Sequence, residues 1–269
     1  MRCFATVLCF LLLLTGCDRA DAPLTSQEDG ELPDNGMQSA PLEDETPMQE
    51  LTELLLPEEV QAAEVEPGKE EGAEKAQYSP AEGFAVYPLS PELKKRITGN
   101  SWKQNDFLPL EDLRYLKLLH LDFEGNTQTG EMIVHHSLAQ EMTDIFLELY
   151  QSKYPIHRIS LIEEFDCDDM ASMEANNTSC FNMRKISGTE SWSHHSYGRA
   201  VDINPLQNPY VTASGVWPSG EYLERSEARP GMITEGDICF QAFVSRGWTW
   251  GGYWSNPDYQ HFEKMPESK

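Results

Sequence analysis

Apolar positions fall into short, distinct patterns along the second two-thirds of the chain. Leu113 to Asp122 is apolar at Leu113, Leu116, Leu118, Leu119 and Leu121, which predicts a strand. Phe123-Glu124-Gly125-Asn126 predicts a turn, and Glu131 to His135 a second strand, so the pair predicts a hairpin. From Ser137 to Lys153 the period changes. Leu138, Met142, Ile145, Phe146 and Leu149 recur at helical spacing behind Ser137 as N-cap, and Pro155 ends the run. Short strands are expected at Ile159–Ile162, Phe181–Arg184, Ala200–Ile203 and Phe262–Glu263, and a helix over Asp237–Arg246. Residues 79–91 look turn-rich through Pro80, Pro88 and Pro91, and 163–177 looks like an acidic surface connection. These elements predict an α+β domain over residues 79–269, a size with room for one core.

The first third is different. Met1-Arg2 precedes an apolar run from Phe4 to Leu14, too short to span a membrane comfortably and shaped like a secretory signal, residues 1–16. Leu14-Thr15-Gly16-Cys17 has the form of a lipoprotein cleavage site, with Cys17 as the lipid-bearing residue. Lipid on Cys17 would hold the chain on a membrane of the cell envelope, facing the periplasm or the exterior. Residues 18–78 carry 18 acidic against 3 basic residues, a net −15 out of −25 for the whole chain. Such a segment cannot bury enough apolar surface to offset its ordering entropy, so 17–78 is expected to be a disordered linker. As a coil it would span roughly 45 Å. Leu51, Leu54, Leu55 and Leu56 allow at most a transient helix. The acidity speaks against nucleic acid as a partner, since phosphate recognition requires the opposite charge. Nothing in the pattern calls for more than a monomer.

Of six cysteines, Cys167, Cys180 and Cys239 lie in the domain; 167 and 180 are close enough in sequence to close a small loop in an oxidising compartment. The stretch that carries chemistry is Ser193-His194-His195-Ser196-Tyr197-Gly198-Arg199-Ala200-Val201-Asp202, followed near the end by Asp258-Tyr259-Gln260-His261-Phe262-Glu263. His195, Asp202 and His261 offer two imidazoles and a carboxylate, a zinc set with a fourth position open. His194 is the adjacent alternative to His195. His135-His136 lacks a third ligand nearby in sequence and is expected to be a strand end.

His195-x-x-Gly198-x-Ala200-x-Asp202 with Asp258-x-x-His261 resembles the zinc D-Ala-D-Ala carboxypeptidases and L-Ala-D-Glu endopeptidases of peptidoglycan, the VanY-like enzymes and related phage endolysins. The resemblance implies a small antiparallel sheet flanked by helices, and zinc on His195, Asp202 and His261. It also implies Asp258 as general base and Arg184 holding a substrate carbonyl or carboxylate. Trp250, from the tryptophan-rich stretch 248–254, is the expected cleft ring, and Glu263 either supports a ligand or lies on the surface. The expected substrate is a peptidoglycan stem peptide. D-Ala-D-Ala carboxypeptidase activity comes first, with L-Ala-D-Glu endopeptidase activity and a silent peptidoglycan-binding lipoprotein as alternatives. If Cys17 carries the anchor, Cys17→Ser moves the protein from the membrane to the soluble fraction on fractionation; a variant that stays with the membrane contradicts the assignment.

Overall fold

The computed structural model describes residues 75–266. The expected signal segment, Cys17 and nearly all of the linker, including the leucines at 51–56, lie outside the described residues. Among those described, no helix is long and apolar enough to cross a membrane.

An antiparallel sheet of four strands in sequence order forms the first layer: β1 (Tyr78–Ala81), β2 (Phe84–Pro88), β3 (Leu113–Leu121) and β4 (Thr127–His135). The β3–β4 hairpin is the one the sequence predicts, and β4 starts earlier than expected because Thr127 to Gly130 pair along the whole ladder, Leu121↔Thr127 to Leu113↔His135. The proline-rich entry is a departure from expectation. Tyr78, assigned to the linker, opens β1, pairs with Val86 and donates its hydroxyl to Asp144 at 2.6 Å. Pro80 sits on an edge strand, Pro88 ends β2, and Pro91 begins α1 (Pro91–Ile97). Each is a position where a missing N–H costs nothing. Ser90 caps α1 by accepting from the Leu93 amide at 3.2 Å. The basic run Lys94-Lys95-Arg96 is its last turn, where cations suit the helix dipole.

α2 (Ala139–Gln151) lies against this sheet and buries Met142, Ile145, Phe146 and Leu149, the face its period predicts. Burying such a side chain contributes roughly 1.5–3 kcal/mol. Ser137 is not its cap. The residues His136–Leu138 form a tighter turn first, and the Ser137 hydroxyl bonds His135 and Arg199 instead. Two short strands, β5 (Arg158–Ile159) and β6 (Asn177–Thr178), pair in parallel, flanking α3 (Asp169–Glu174). That helix was hidden in the acidic connection; Asp168 is its N-cap, accepting from Ala171 N at 3.0 Å.

The second layer is a three-stranded antiparallel sheet in the order β10 (Thr249–Trp250), β11 (His261–Glu263), β7 (Ala200–Asp202). α4 (Ile238–Val244), capped by Asp237, covers it, with Phe243 stacked on Phe262 at 4.3 Å between ring centroids. β8 (Tyr210–Thr212) and β9 (Gly215–Trp217) form a hairpin inside the loop expected after Asn204. One core joins the two layers through Leu116, Leu118, Met142, Phe146, Val201, Phe243 and Phe262.

Phe181–Arg184 is extended but is not a strand, because its backbone partners alternate between segments. Asn182 N donates to His195 O, Met183 N to Ser101 O, and Ser193 N to Arg184 O. Cys167 and Cys180 are unpaired thiols, so no bridge closes the loop between them.

Gly198 joins the layers at closest approach. Its φ is +62°, and a Cβ there would lie 2.6 Å from the His135 backbone nitrogen. Gly99 has φ +84° with open space around it. Gly99→Ala should therefore lose only the left-handed backbone term, about 1–2 kcal/mol, whereas Gly198→Ala adds overpacking of roughly 1–3 kcal/mol. Urea unfolding of the two variants measures the difference; equal losses would mean the contact with β4 yields freely.

Candidate metal centre

Ser193 caps a single tight turn, His194–Tyr197, by accepting from His195 N at 3.3 Å, and Gly198 reverses the chain in the left-handed conformation. The chain then enters β7. Alternation along β7 puts Val201 in the core and leaves Asp202 on the other face. β11 pairs His261 with Asp202 and Phe262 with Val201, so histidine and aspartate share one face and their apolar neighbours the other. Residues 179–184 latch both ligand segments: Ser179 exchanges two backbone bonds with Asp202, and Arg184 does so with the Ser196 hydroxyl.

The three side chains converge. His195 Nε2 lies 3.2 Å from Asp202 Oδ2 and 3.3 Å from His261 Nδ1, while His261 Nδ1 lies 2.9 Å from Asp202 Oδ1. Exposure is 3% for His195 and 7% for Asp202 and His261, so all three are shielded from bulk water. The remaining ring nitrogens are anchored. His195 Nδ1 is 2.6 Å from the Cys180 carbonyl, which only accepts, so Nδ1 carries the proton and Nε2 presents its lone pair inward. His261 Nε2 is 3.0 Å from Glu263 Oε2.

Both nitrogens of His261 therefore face carboxylates. Burial alone would favour the neutral ring, but the bonds to Asp202 and Glu263 outweigh it and raise the group to about 10. The same pairing works in reverse on the acids. Burial would raise Asp202, yet the two imidazoles hold it far below the usual carboxylate range, and Glu263 is held down to about 2 against its own burial by His194 and His261. The proton on His261 Nδ1 sits where a cation would satisfy the same three donors. With His195 Nε2 and an Asp202 oxygen, His261 Nδ1 forms a set able to hold a metal ion, all three atoms within 4.8 Å of one another.

Asp258 lies beside this set. Its carboxyl is buried, and its Oδ1 has no hydrogen-bond partner in the structure. Burial first, and then the charge of Asp202, push it up to about 7. A buried, unpartnered carboxylate oxygen next to three convergent donors points to a group that arrives from outside the chain. Residues 187–264, which contain all four side chains, match the model of the family described as D-alanyl-D-alanine carboxypeptidase. That similarity covers the last part of the chain, the ligand turn to the end of β11. No curated protein and no solved structure matches the chain.

The remaining expected site residues divide. His194 is not a member of the set; its Nδ1 bonds Glu263 Oε2 at 2.6 Å, which answers the choice between the adjacent histidines. Glu263 is thereby a support for His261 and not a surface carboxylate. Arg184 pairs with Asp169 of α3 and engages no member of the triad. Trp250 is a core residue at 5% exposure, packed on Phe240 and Phe262 with its indole N–H on the Tyr259 carbonyl. The tryptophan at the site is Trp254, 39% exposed, its ring 5.2 Å from that of His261. The sequence signal for it is the Gly251-Gly252 turn, which takes residues 253 and 254 out of the β10 alternation.

His195→Ala or His261→Ala should abolish tight metal binding by this set. Glu263→Gln, which keeps shape but weakens the hold on His261, should lower affinity about 10–100-fold. Competition against a chromophoric chelator measures all three. Unchanged affinity in Glu263→Gln would show that the His261 ring is fixed without it.

Proposed function

We propose that this chain is a zinc-dependent peptidase that cleaves peptidoglycan stem peptides, with removal of the terminal D-alanine of a D-Ala-D-Ala end as its first activity. The observation that supports this reading is the buried convergence of His195, Asp202 and His261 with the unpartnered Oδ1 of Asp258 beside them. Two imidazoles and one carboxylate suit zinc better than calcium or magnesium. When bound, zinc supplies Lewis-acid polarisation of the scissile carbonyl and an acidified water.

The chain's own residues do the rest. Asp258, pushed up to about 7 by burial and by Asp202, is poised to take a proton from the attacking water and hand it to the leaving amine. His195 and His261 hold fixed orientations through Cys180 O and Glu263, so little reorganisation is needed as charge develops. Trp254 offers an apolar wall beside His261. In this reading Arg184 exchanges Asp169 for a substrate carboxylate, a like-for-like swap of acceptors for its forked donors. Lipid on Cys17 and the acidic linker would place the domain within reach of the cell wall from a membrane surface.

Asp258→Asn tests the central assignment. The amide is nearly isosteric but cannot accept the proton, so zinc content should persist while turnover falls about 10²–10⁴-fold. Mass spectrometry of muropeptides incubated with the protein reads both the rate and the bond. Loss of one alanine marks the carboxypeptidase, cleavage nearer the glycan the L-Ala-D-Glu endopeptidase, and no product from the wild type the silent binding protein. Zinc retained with near-normal cleavage in Asp258→Asn would refute its role.

A further inference from the structure

The hairpin of β8 and β9 is tied to Asp258 by a register that the linear sequence hides. Val211 N donates to Pro257 O at 2.8 Å and Tyr259 N to Pro209 O at 3.3 Å, so Tyr210 and Asp258 meet as a non-hydrogen-bonded antiparallel pair. In such a pair the two side chains stand on one face at their closest spacing. Tyr210 in turn pairs with Trp217 of β9. Asp258, Tyr210 and Trp217 therefore form a row across neighbouring segments, starting at the carboxyl beside Asp202 and His261. Tyr259 points to the other face, where the Arg225 guanidinium lies 4.1 Å over its ring. Trp217 is 40% exposed, and its indole lies along β9 over Gly215, where a Cβ would come within 3.3 Å of the ring. We propose that Tyr210 and Trp217 form a substrate subsite, in which Trp217 takes the long cationic side chain of the residue preceding the one whose carbonyl is attacked.

This subsite rests on the peptidase reading above, and length decides which side of the substrate fills it. Neighbouring strands lie about 4.8 Å apart, so the row reaches roughly 10 Å from Asp258. The leaving side of a D-Ala-D-Ala end is a single residue, at most about 3.6 Å of extended chain, and it ends in a carboxylate. It is too short for the row, and residues 203–220 carry no cationic side chain to receive that carboxylate. The acyl side has the length. One residue back from the cut position covers the first strand spacing, over Tyr210, and a side chain of lysine type covers the second. Stem peptides place a diamino acid there.

Charge agrees. Residues 203–220 hold no charged side chain at all, so the ammonium meets no like charge on the hairpin, and the net charge of −25 draws cations to the chain. An indole face attracts an ammonium within about 6 Å of its centre, more strongly than the smaller aromatic rings do. The protein makes this contact elsewhere with its own cations: Arg225 on Tyr259, Arg229 on Tyr222 at 3.7 Å and Lys185 on Trp192 at 4.5 Å. Among the described residues, no cation of the chain lies over Trp217.

The test uses the full chain carrying Asp258→Asn, so that substrate is held without turnover, and two synthetic pentapeptides ending in lysyl-D-Ala-D-Ala. One has its lysine amine free; the other is acetylated there, which removes the charge. Calorimetric titration should show the free-amine peptide binding about 2–30-fold more tightly. Adding Trp217→Ala should erase most of that ratio, and Trp217→Phe, which keeps a ring, should retain part of it. Circular dichroism confirms that each variant is folded. With Asp258 intact, Trp217→Ala should raise KM for the free-amine peptide by a similar factor, the mark of lost binding and not of lost chemistry. A ratio near one in Asp258→Asn, or the same ratio with and without Trp217, overturns the proposal. Amine-dependent binding that needs Trp217, with neither peptide cleaved by the unaltered protein, would keep the subsite and remove the peptidase reading. Cleavage indifferent to the amine would do the reverse.

Discussion

The pairing of β11 with β7 is the constraint on which the site depends. Only three residue pairs make it: His261↔Asp202, Phe262↔Val201 and Glu263↔Ala200. Because side chains alternate, one register puts both ligands on the site face and both apolar residues in the core; a slip by one would exchange the two sets. Phe262 and Val201 are fully buried, and Phe262 stacks on Phe243 of α4. The hydrophobic core thus sets the register, and the register sets the chemistry. Glu263, two residues beyond His261, shares its face and can reach back to the imidazole, with the small Ala200 opposite.

A second scaffold holds the other histidine. Residues 179–184 run beside the ligand turn without becoming a strand, giving backbone bonds to Asp202, His195 and Ser193 and a carbonyl to the His195 ring. The bonds are spread over several partners, so the segment fixes two ligand groups at once. This explains why an apparently strand-like stretch, Phe181 to Arg184, has no single neighbour and no ladder. It also explains why Arg184 is rigid in its backbone while its guanidinium answers to Asp169.

What was legible in the sequence followed from periodicity and ligand spacing. β3, β4, α2, α4 and β7 each carry an apolar pattern long or pure enough to fix their type. β1, β2 and α1 did not, because Pro80, Pro88 and Pro91 signal turns locally and only the tertiary setting makes them strand edge, strand end and helix start. α3 was masked by acids whose first member, Asp168, is its cap. The convergence of His195, Asp202 and His261 was legible because two halves of a motif agree. Its support was not: Glu263 is an ordinary carboxylate until β11 orients it, and Trp254 is indistinguishable from Trp250 until the Gly251-Gly252 turn separates core from cleft.

The order of the ligand sheet has a consequence in time. β11 is its central strand yet follows β7 and β10 in the chain, and His195 and His261 are 66 residues apart. Before β11 docks, β7 and β10 have no common neighbour, and closing so long a loop costs entropy that only burial of Phe262 against α4 repays. A growing or still-unfolded chain therefore holds His195, Asp202 and His261 apart. Assembly of the set able to hold an ion is a late event, gated by completion of the core.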